Sequence, residues 1–196
     1  MKLGAGIVVW LGCIVGGLLA LQQYAAKAGP SDAPKNAQAF LAAHRKANRP
    51  LLIMAIHPRC PCTDASLAEL GDLLARSHGS CDALLLQYHP EKSAPDWDEV
   101  ASNRQLGGTS VGVLLDPGGK MAAALGASTS GHTVVADAHG VWRFAGGLTT
   151  SRGHRGRAPA QDAILEILAG REPALTTAPV YGCALIPECT TEFCDP

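Results

Sequence analysis

The spacing of apolar positions changes along the chain, and each change marks an element. From Leu3 to Leu21 no residue is charged. At 1.5 Å rise per residue a helix of this length spans about 28 Å, close to a bilayer core. A polar, small-residue stretch ending in GPSDAP follows and reads as a linker. Phe40, Leu41 and His44 recur at helical spacing until Arg49-Pro50 stops the pattern. LLIMAI (51–56) is apolar on both faces and too short for a helix, as in a central parallel strand. Leu67, Leu70, Leu73 and Leu74 then form the stripe of a helix capped at Thr63 or Asp64 and ended by Gly79. Ser66 and Glu69 within it have the spacing of a late capping box. ALLLQY (83–88) and VGVLLD (111–116) are two further strands, separated by a short helix over DWDEVASNRQL (96–106). PGG turns the chain into a short helix, KMAAALG. TVVAD (133–137) and VWRFAG (141–146) flank Ala138-His139-Gly140 and predict a hairpin. A glycine-rich loop, GGLTTSRGHRGR, leads to a closing helix over 159–169 with Ile164, Leu165 and Leu168 as its stripe.

Strands alternating with helices, then a hairpin and a last helix, predict an α/β domain. Its central mixed sheet is flanked by helices, parallel at first and antiparallel at its end. The expected organisation is an apolar N-terminal transmembrane or signal segment (1–22), a linker (23–34), the α/β domain (35–170) and a cysteine-containing tail (171–196). The tail has no periodicity, which predicts irregular structure pinned by sulfur.

Of 196 residues 47% are hydrophobic and 17% charged, and the net charge is −1. With no basic footprint for phosphates, nucleic acid is set aside as a partner. The uncharged N-terminal run exceeds the roughly 7–15 apolar residues of a cleaved signal, which favours a single-pass membrane anchor. Ala26-Lys27-Ala28 is a small-x-small cleavage site, so secretion after cleavage stands as the alternative. Either way the domain is expected outside the cytoplasm, in the periplasm. Of seven cysteines, Cys13 lies in the apolar run, and the other six face an oxidising compartment where disulfides persist.

Candidate chemistry centres on HPRCPCTD (57–64). Ligands and reactive groups of open α/β sheets gather at the carboxyl ends of the strands. Cys60 and Cys62 follow such an end and precede a helix N-terminus, where free amide donors and the helix dipole favour a thiolate. Pro61 restricts how the two sulfurs can be arranged. A strand, a cysteine pair, a helix, a later hairpin and a closing helix resemble the thioredoxin fold over residues 50–170. Within that fold the chain is similar to the exported branch that includes TlpA-type thiol-disulfide proteins and peroxiredoxins. More narrowly, HPRCPCTDASLAEL, GHTVVADAHG and FAGGLTTSRGHRG resemble the RedB-like thioredoxin proteins.

The resemblance implies that Cys60 attacks, that Cys62 resolves and that no bound cofactor is needed. The chain departs from thioredoxins in carrying one residue, Pro61, between its cysteines where they carry two. A disulfide across so small a ring is strained and expected to be oxidising. Gly131 stands where thioredoxins place a cis-proline. Peroxiredoxins carry a threonine three residues before the peroxidatic cysteine; here His57 precedes Cys60 and Arg59 precedes Cys62 at that spacing, which argues against a peroxidase.

In the same fold the loop after the hairpin borders the thiols. Arg152 and His154 in that loop, with His132 at the start of the hairpin, are the expected thiolate-tuning residues. His57 ends the first strand and is as much a cap as a candidate. Cys81, Cys183, Cys189 and Cys194 are expected to form structural disulfides, with Cys81 alternatively an inert buried thiol. A tail thiol that resolves or shuttles for Cys60 or Cys62 is the less favoured alternative. The favoured function is a membrane-anchored thiol-disulfide oxidoreductase acting on protein thiols or disulfides. The alternative is a copper-handling protein that binds Cu(I) through Cys60 and Cys62 with His132 or His154 as third ligand, as in Sco-type chaperones. Zinc is disfavoured because no second tight Cys/His pair accompanies the first. A structural module that docks a partner complex is the third reading.

Overall fold

LLIMAI forms strand β1 (Leu51–Ile56), and every residue of it is buried. The computed structural model describes residues 2–35, 37–91 and 111–186. The helix expected over 96–106 lies outside the described residues, as do Cys189 and Cys194. Ahead of β1 run α1 (Lys2–Ala26) and α2 (Gln38–His44). After it come α3 (Thr63–Arg76), β2 (Asp82–His89), β3 (Gly112–Pro117), α4 (Lys120–Ala124), β4 (His132–Ala136), β5 (Trp142–Gly146) and α5 (Pro159–Leu168). The sheet order is β3-β2-β1-β4-β5. β1, β2 and β3 are parallel, and β4 is antiparallel to both β1 and β5. This is the thioredoxin-like arrangement.

The period of a strand explains why β1 is apolar throughout. Leu52, Met54 and Ile56 face a core built with Leu67, Leu70, Leu73 and Leu74 of α3 and Ile164 and Ile167 of α5. Leu51, Ile53 and Ala55 face the opposite layer, with Leu41 of α2, Ala122 of α4 and Leu86 of β2. In α5 the stripe is shifted from expectation: Ile164, Ile167 and Leu168 are buried, and Leu165 only packs against the rim.

Several local expectations change. Glu69 is not a capping partner. Its carboxylate is buried and accepts from the Gly156 amide at 2.7 Å and the Gln161 side-chain amide at 2.6 Å. It therefore ties the post-hairpin loop and α5 to α3. Cys62 itself occupies the N-cap position of α3. Asp116 at the end of β3 accepts from the amides of Met121 and Ala122 at 2.9 and 2.8 Å, and so caps the short α4.

α1 extends to Ala26, into the stretch expected as a linker. Its span Gly6–Ala26 has a mean hydropathy of 1.8, long and apolar enough to cross a membrane or to serve as a signal. The segment after it is laid on the domain: Gly29 N–H donates to Val180 O at 2.8 Å and Asp32 N–H to Gly126 O at 3.0 Å.

As far as residue 186 the tail is held by backbone pairing; the sulfur expected at Cys189 and Cys194 lies outside the described residues. Ala145 N–H donates to Thr176 O, Ser130 N–H to Cys183 O at 2.8 Å and Leu185 N–H to Ser128 O at 2.9 Å. Val180 and Leu185 are buried at 1% exposure each, and a buried leucine is worth about 1.5–3 kcal/mol. Cys81 and Cys183 are both free thiols.

Candidate functional site

The carboxyl end of β1 runs into a tight turn that delivers Cys60 and Cys62 to the start of α3. Cys60 N–H donates to His57 O at 3.1 Å and Thr63 N–H to Cys60 O at 3.0 Å, so the turn is closed on both sides of the first cysteine. The Thr63 hydroxyl donates to His57 O at 2.9 Å and lies 2.9 Å from the Ser130 hydroxyl. Ser130 in turn accepts from the His57 amide at 2.9 Å. This cluster locks the cysteine loop to the segment preceding β4.

Gly131 belongs to that segment. Its φ is +91° and its amide donates to Ala55 O at 2.8 Å. A Cβ there would sit 2.7 Å from the Ser66 hydroxyl. The position opposite the first turn of α3 therefore takes glycine for two reasons, backbone conformation and space. Among the described residues there is no cis peptide bond.

Three thiols meet at this point: Cys60, Cys62 and Cys183. Cys60 is 4% exposed, Cys62 8%, and Cys183 is partly exposed. Cys183 N–H donates to Cys60 Sγ at 3.3 Å. Burial opposes ionisation of Cys60. Hydrogen bonds from the Cys183 thiol and amide and from the Cys62 amide lead the effects that outweigh it, and the Cys60 pKa falls below its ordinary value. Cys62 moves the other way. Burial pushes its pKa up, the negative charge and hydrogen bond of Cys60 add to this, and Arg152 and the Gly153 amide only partly oppose it. Cys183 is pushed up to about 11, by burial first and then by its bond to Cys60 and the charges of Cys60 and Cys62. Of the three, Cys60 is the sulfur whose ionisation the surroundings favour, with the Cys183 thiol and amide donating to it.

Arg152 stands at the meeting point of loop, tail and N-terminal helix. Its charge acts on Cys62 and Cys183. Its guanidinium donates to Gly182 O and lies 5.0 Å from the Tyr24 ring centroid. Its amide donates to Ala25 O at 3.0 Å, at the end of α1.

The other expected site residues fall elsewhere. His154 is exposed on the loop. His132 is buried at 1% exposure in β4, and neither ring nitrogen has a hydrogen-bond partner. Burial pushes its pKa down to about 4, against the charge of Asp32, so at neutral pH it carries no charge toward a thiolate. His57 stacks on Tyr88 with ring centroids 5.2 Å apart, and burial and then Arg59 lower its pKa. Cys81 is buried beside Ser77, before β2 and away from the other thiols. Among the described residues no group of three or more His, Cys, Asp or Glu side chains is arranged to hold a metal ion. Copper thus finds no third ligand beside Cys60 and Cys62 in His132 or His154.

One contributor was not singled out as a thiol donor from sequence: the Cys183 amide. Gly182 was the available signal for it. A Cβ at that position would run into the Ser130 carbonyl oxygen, so the glycine is what lets the tail come this close.

No known family pattern and no characterised protein matches the sequence. Among solved structures, an uncharacterized conserved protein from Geobacillus kaustophilus is similar with a TM-score of 0.61 at 19% identity. A hypothetical protein from Sinorhizobium meliloti 1021 is similar with a TM-score of 0.61 at 18% identity. Each match covers 85% of this chain and 94% of the other. MTB dsbF, in mixed oxidized and reduced forms, matches over 63% of this chain and 81% of its own at 19% identity, with a TM-score of 0.44. The likeness to the first two is one of fold.

Proposed function

We propose that the chain is an extracytoplasmic thiol-disulfide oxidoreductase, anchored in the membrane by α1, that works through Cys60 and Cys62. The observation that carries this reading is the Cys60 sulfur, held at the start of α3 with the Cys183 amide donating to it at 3.3 Å and a second thiol two residues on. In the reductive direction the Cys60 thiolate attacks one sulfur of a protein disulfide. The substrate disulfide breaks, a mixed disulfide forms and the other substrate sulfur leaves as a thiolate. Cys62 then loses its proton and attacks Cys60, forming the Cys60–Cys62 disulfide and releasing the second substrate thiol. The raised Cys62 pKa keeps it protonated until the charge on Cys60 has been consumed in the mixed disulfide. The oxidative direction runs the same steps in reverse. The affinity to RedB-like proteins is part of this proposal and rests on the local motifs around the two cysteines, β4 and the post-hairpin loop.

The test is redox titration of the full chain in mild detergent. It is equilibrated anaerobically over graded ratios of reduced and oxidised glutathione, quenched with acid, alkylated and mapped by mass spectrometry. Cys60 and Cys62 are expected to close and open together at one potential, on the oxidising side of the roughly −270 mV of thioredoxin. A pair that closes at no ratio would sink the oxidoreductase reading.

A further inference from the structure

We propose that Cys183 is a third redox cysteine of this site, exchanging with Cys62 for the same bond to Cys60. This rests on the reading of Cys60 as the reactive sulfur and adds a second internal disulfide, Cys60–Cys183, to its cycle.

The argument starts from the backbone. The segment 128–130 presents the Ser128 carbonyl and the Ser130 amide along an open edge beside the cysteine loop. Such an edge pairs with any extended peptide laid against it. The chain's own tail takes that place. Ser130 N–H donates to Cys183 O at 2.8 Å, Leu185 N–H donates to Ser128 O at 2.9 Å, and Thr129 and Ala184 form an antiparallel bridge. Buried Leu185 and the glycine at 182 fix the register of this pairing. The residue that the register sets against Cys60 is a cysteine, bonded to it both through its amide and through its thiol. A structural cysteine needs no such placement, and Cys183 is a free thiol here.

Exposure gives the arrangement a direction. Cys60 and Cys62 are buried at 4% and 8%, whereas Cys183 is partly open to solvent. With the tail docked, Cys183 is the most accessible sulfur of the three. The exchange conserves atoms and electrons. Starting from the Cys60–Cys62 disulfide, the Cys183 sulfur attacks Cys60, the Cys60–Cys62 bond breaks, and the proton lost by Cys183 ends on Cys62. Burial is the first cause of the raised Cys183 pKa and acts in either redox state, but the hydrogen bond and charge of Cys60 and the charge of Cys62 add to it only while the site is reduced. With Cys60 and Cys62 joined in a disulfide those additions vanish, and Arg152 still favours the thiolate.

The experiment maps disulfides in the full chain in detergent, as wild type and as Cys62→Ser, over graded ratios of reduced and oxidised glutathione. In wild type, Cys60–Cys62 and Cys60–Cys183 peptides are expected together under oxidising conditions, both lost on reduction. In Cys62→Ser, free Cys60 and free Cys183 are expected to disappear one for one. Wild type that forms Cys60–Cys62 while Cys183 stays open to alkylation throughout overturns this inference and leaves the oxidoreductase reading intact. Cys183 found paired only with Cys189 or Cys194 does the same. Absence of any disulfide at Cys60 in both proteins overturns both.

Discussion

His132 offers a test of the fold's electrostatics in which the sign and the size follow from burial. The ring is 1% exposed with neither nitrogen bonded, and its pKa lies at about 4. In an unfolded chain it takes up a proton near pH 6.5. The folded state holds the ring neutral until the pH approaches 4, so between these values the unfolded state binds more protons. Stability is therefore full above about pH 6.5 and falls as the pH drops through that window. At about 1.36 kcal/mol per pH unit, the whole loss is about 3 kcal/mol. His132→Leu removes the titrating group and two unsatisfied polar atoms from the sheet. The remaining histidines and carboxylates titrate alike in both proteins and cancel in the difference. Urea unfolding of the full chain in detergent, followed by circular dichroism at steps from pH 7.5 to 4.5, should give curves that diverge below pH 6.5, with the variant losing less. Parallel curves across the range would refute the account of His132 as a buried neutral ring.

Three further outcomes follow from named contacts. Cys183→Ala removes the strongest of the hydrogen bonds that lower the Cys60 pKa, so the midpoint of thiolate absorbance at Cys60 should move to higher pH; an unmoved midpoint counts against the bond. Glu69→Ala leaves the Gln161 amide and the Gly156 N–H without their carboxylate and should cost about 2–4 kcal/mol in urea unfolding. A cost within experimental error would show that the loop does not depend on it. Gly182→Ala drives a methyl into Ser130 O, and overpacking of about 1–3 kcal/mol should raise the population of undocked tail about fivefold or more. Alkylation of Cys60 by iodoacetamide should accelerate in proportion, and an unchanged rate would show that the tail does not control access.

The sheet was legible because its pattern is carried by side chains. LLIMAI has no polar position in six, and only a strand between two layers tolerates that. The leucines of α3 fall on one face at helical spacing, and the cysteine pair follows from its place between the two elements. The tail was not legible in the same way. It docks through the carbonyl of Cys183 and the amides of Cys183 and Leu185, groups every residue but proline possesses, so residue identity leaves little trace of the pairing. Cysteine content suggested a sulfur staple, the commoner solution for a short exported segment, and that expectation hid the nearness of Cys183 to Cys60. His132 misled for a related reason. A histidine at the mouth of a thiol site reads as a charge, but its register opposite Ala55 of β1 turns it into a buried ring.

Arg152 also fastens the site to the end of α1, through its amide on Ala25 and its guanidinium over Tyr24. With α1 in a bilayer, as proposed, the domain does not hang from a slack leash. In that case the thiols would stay close to the membrane surface, and the protein would search for its partner in a plane. Such confinement raises the encounter frequency with anything else resident in that layer and lowers it for freely diffusing proteins.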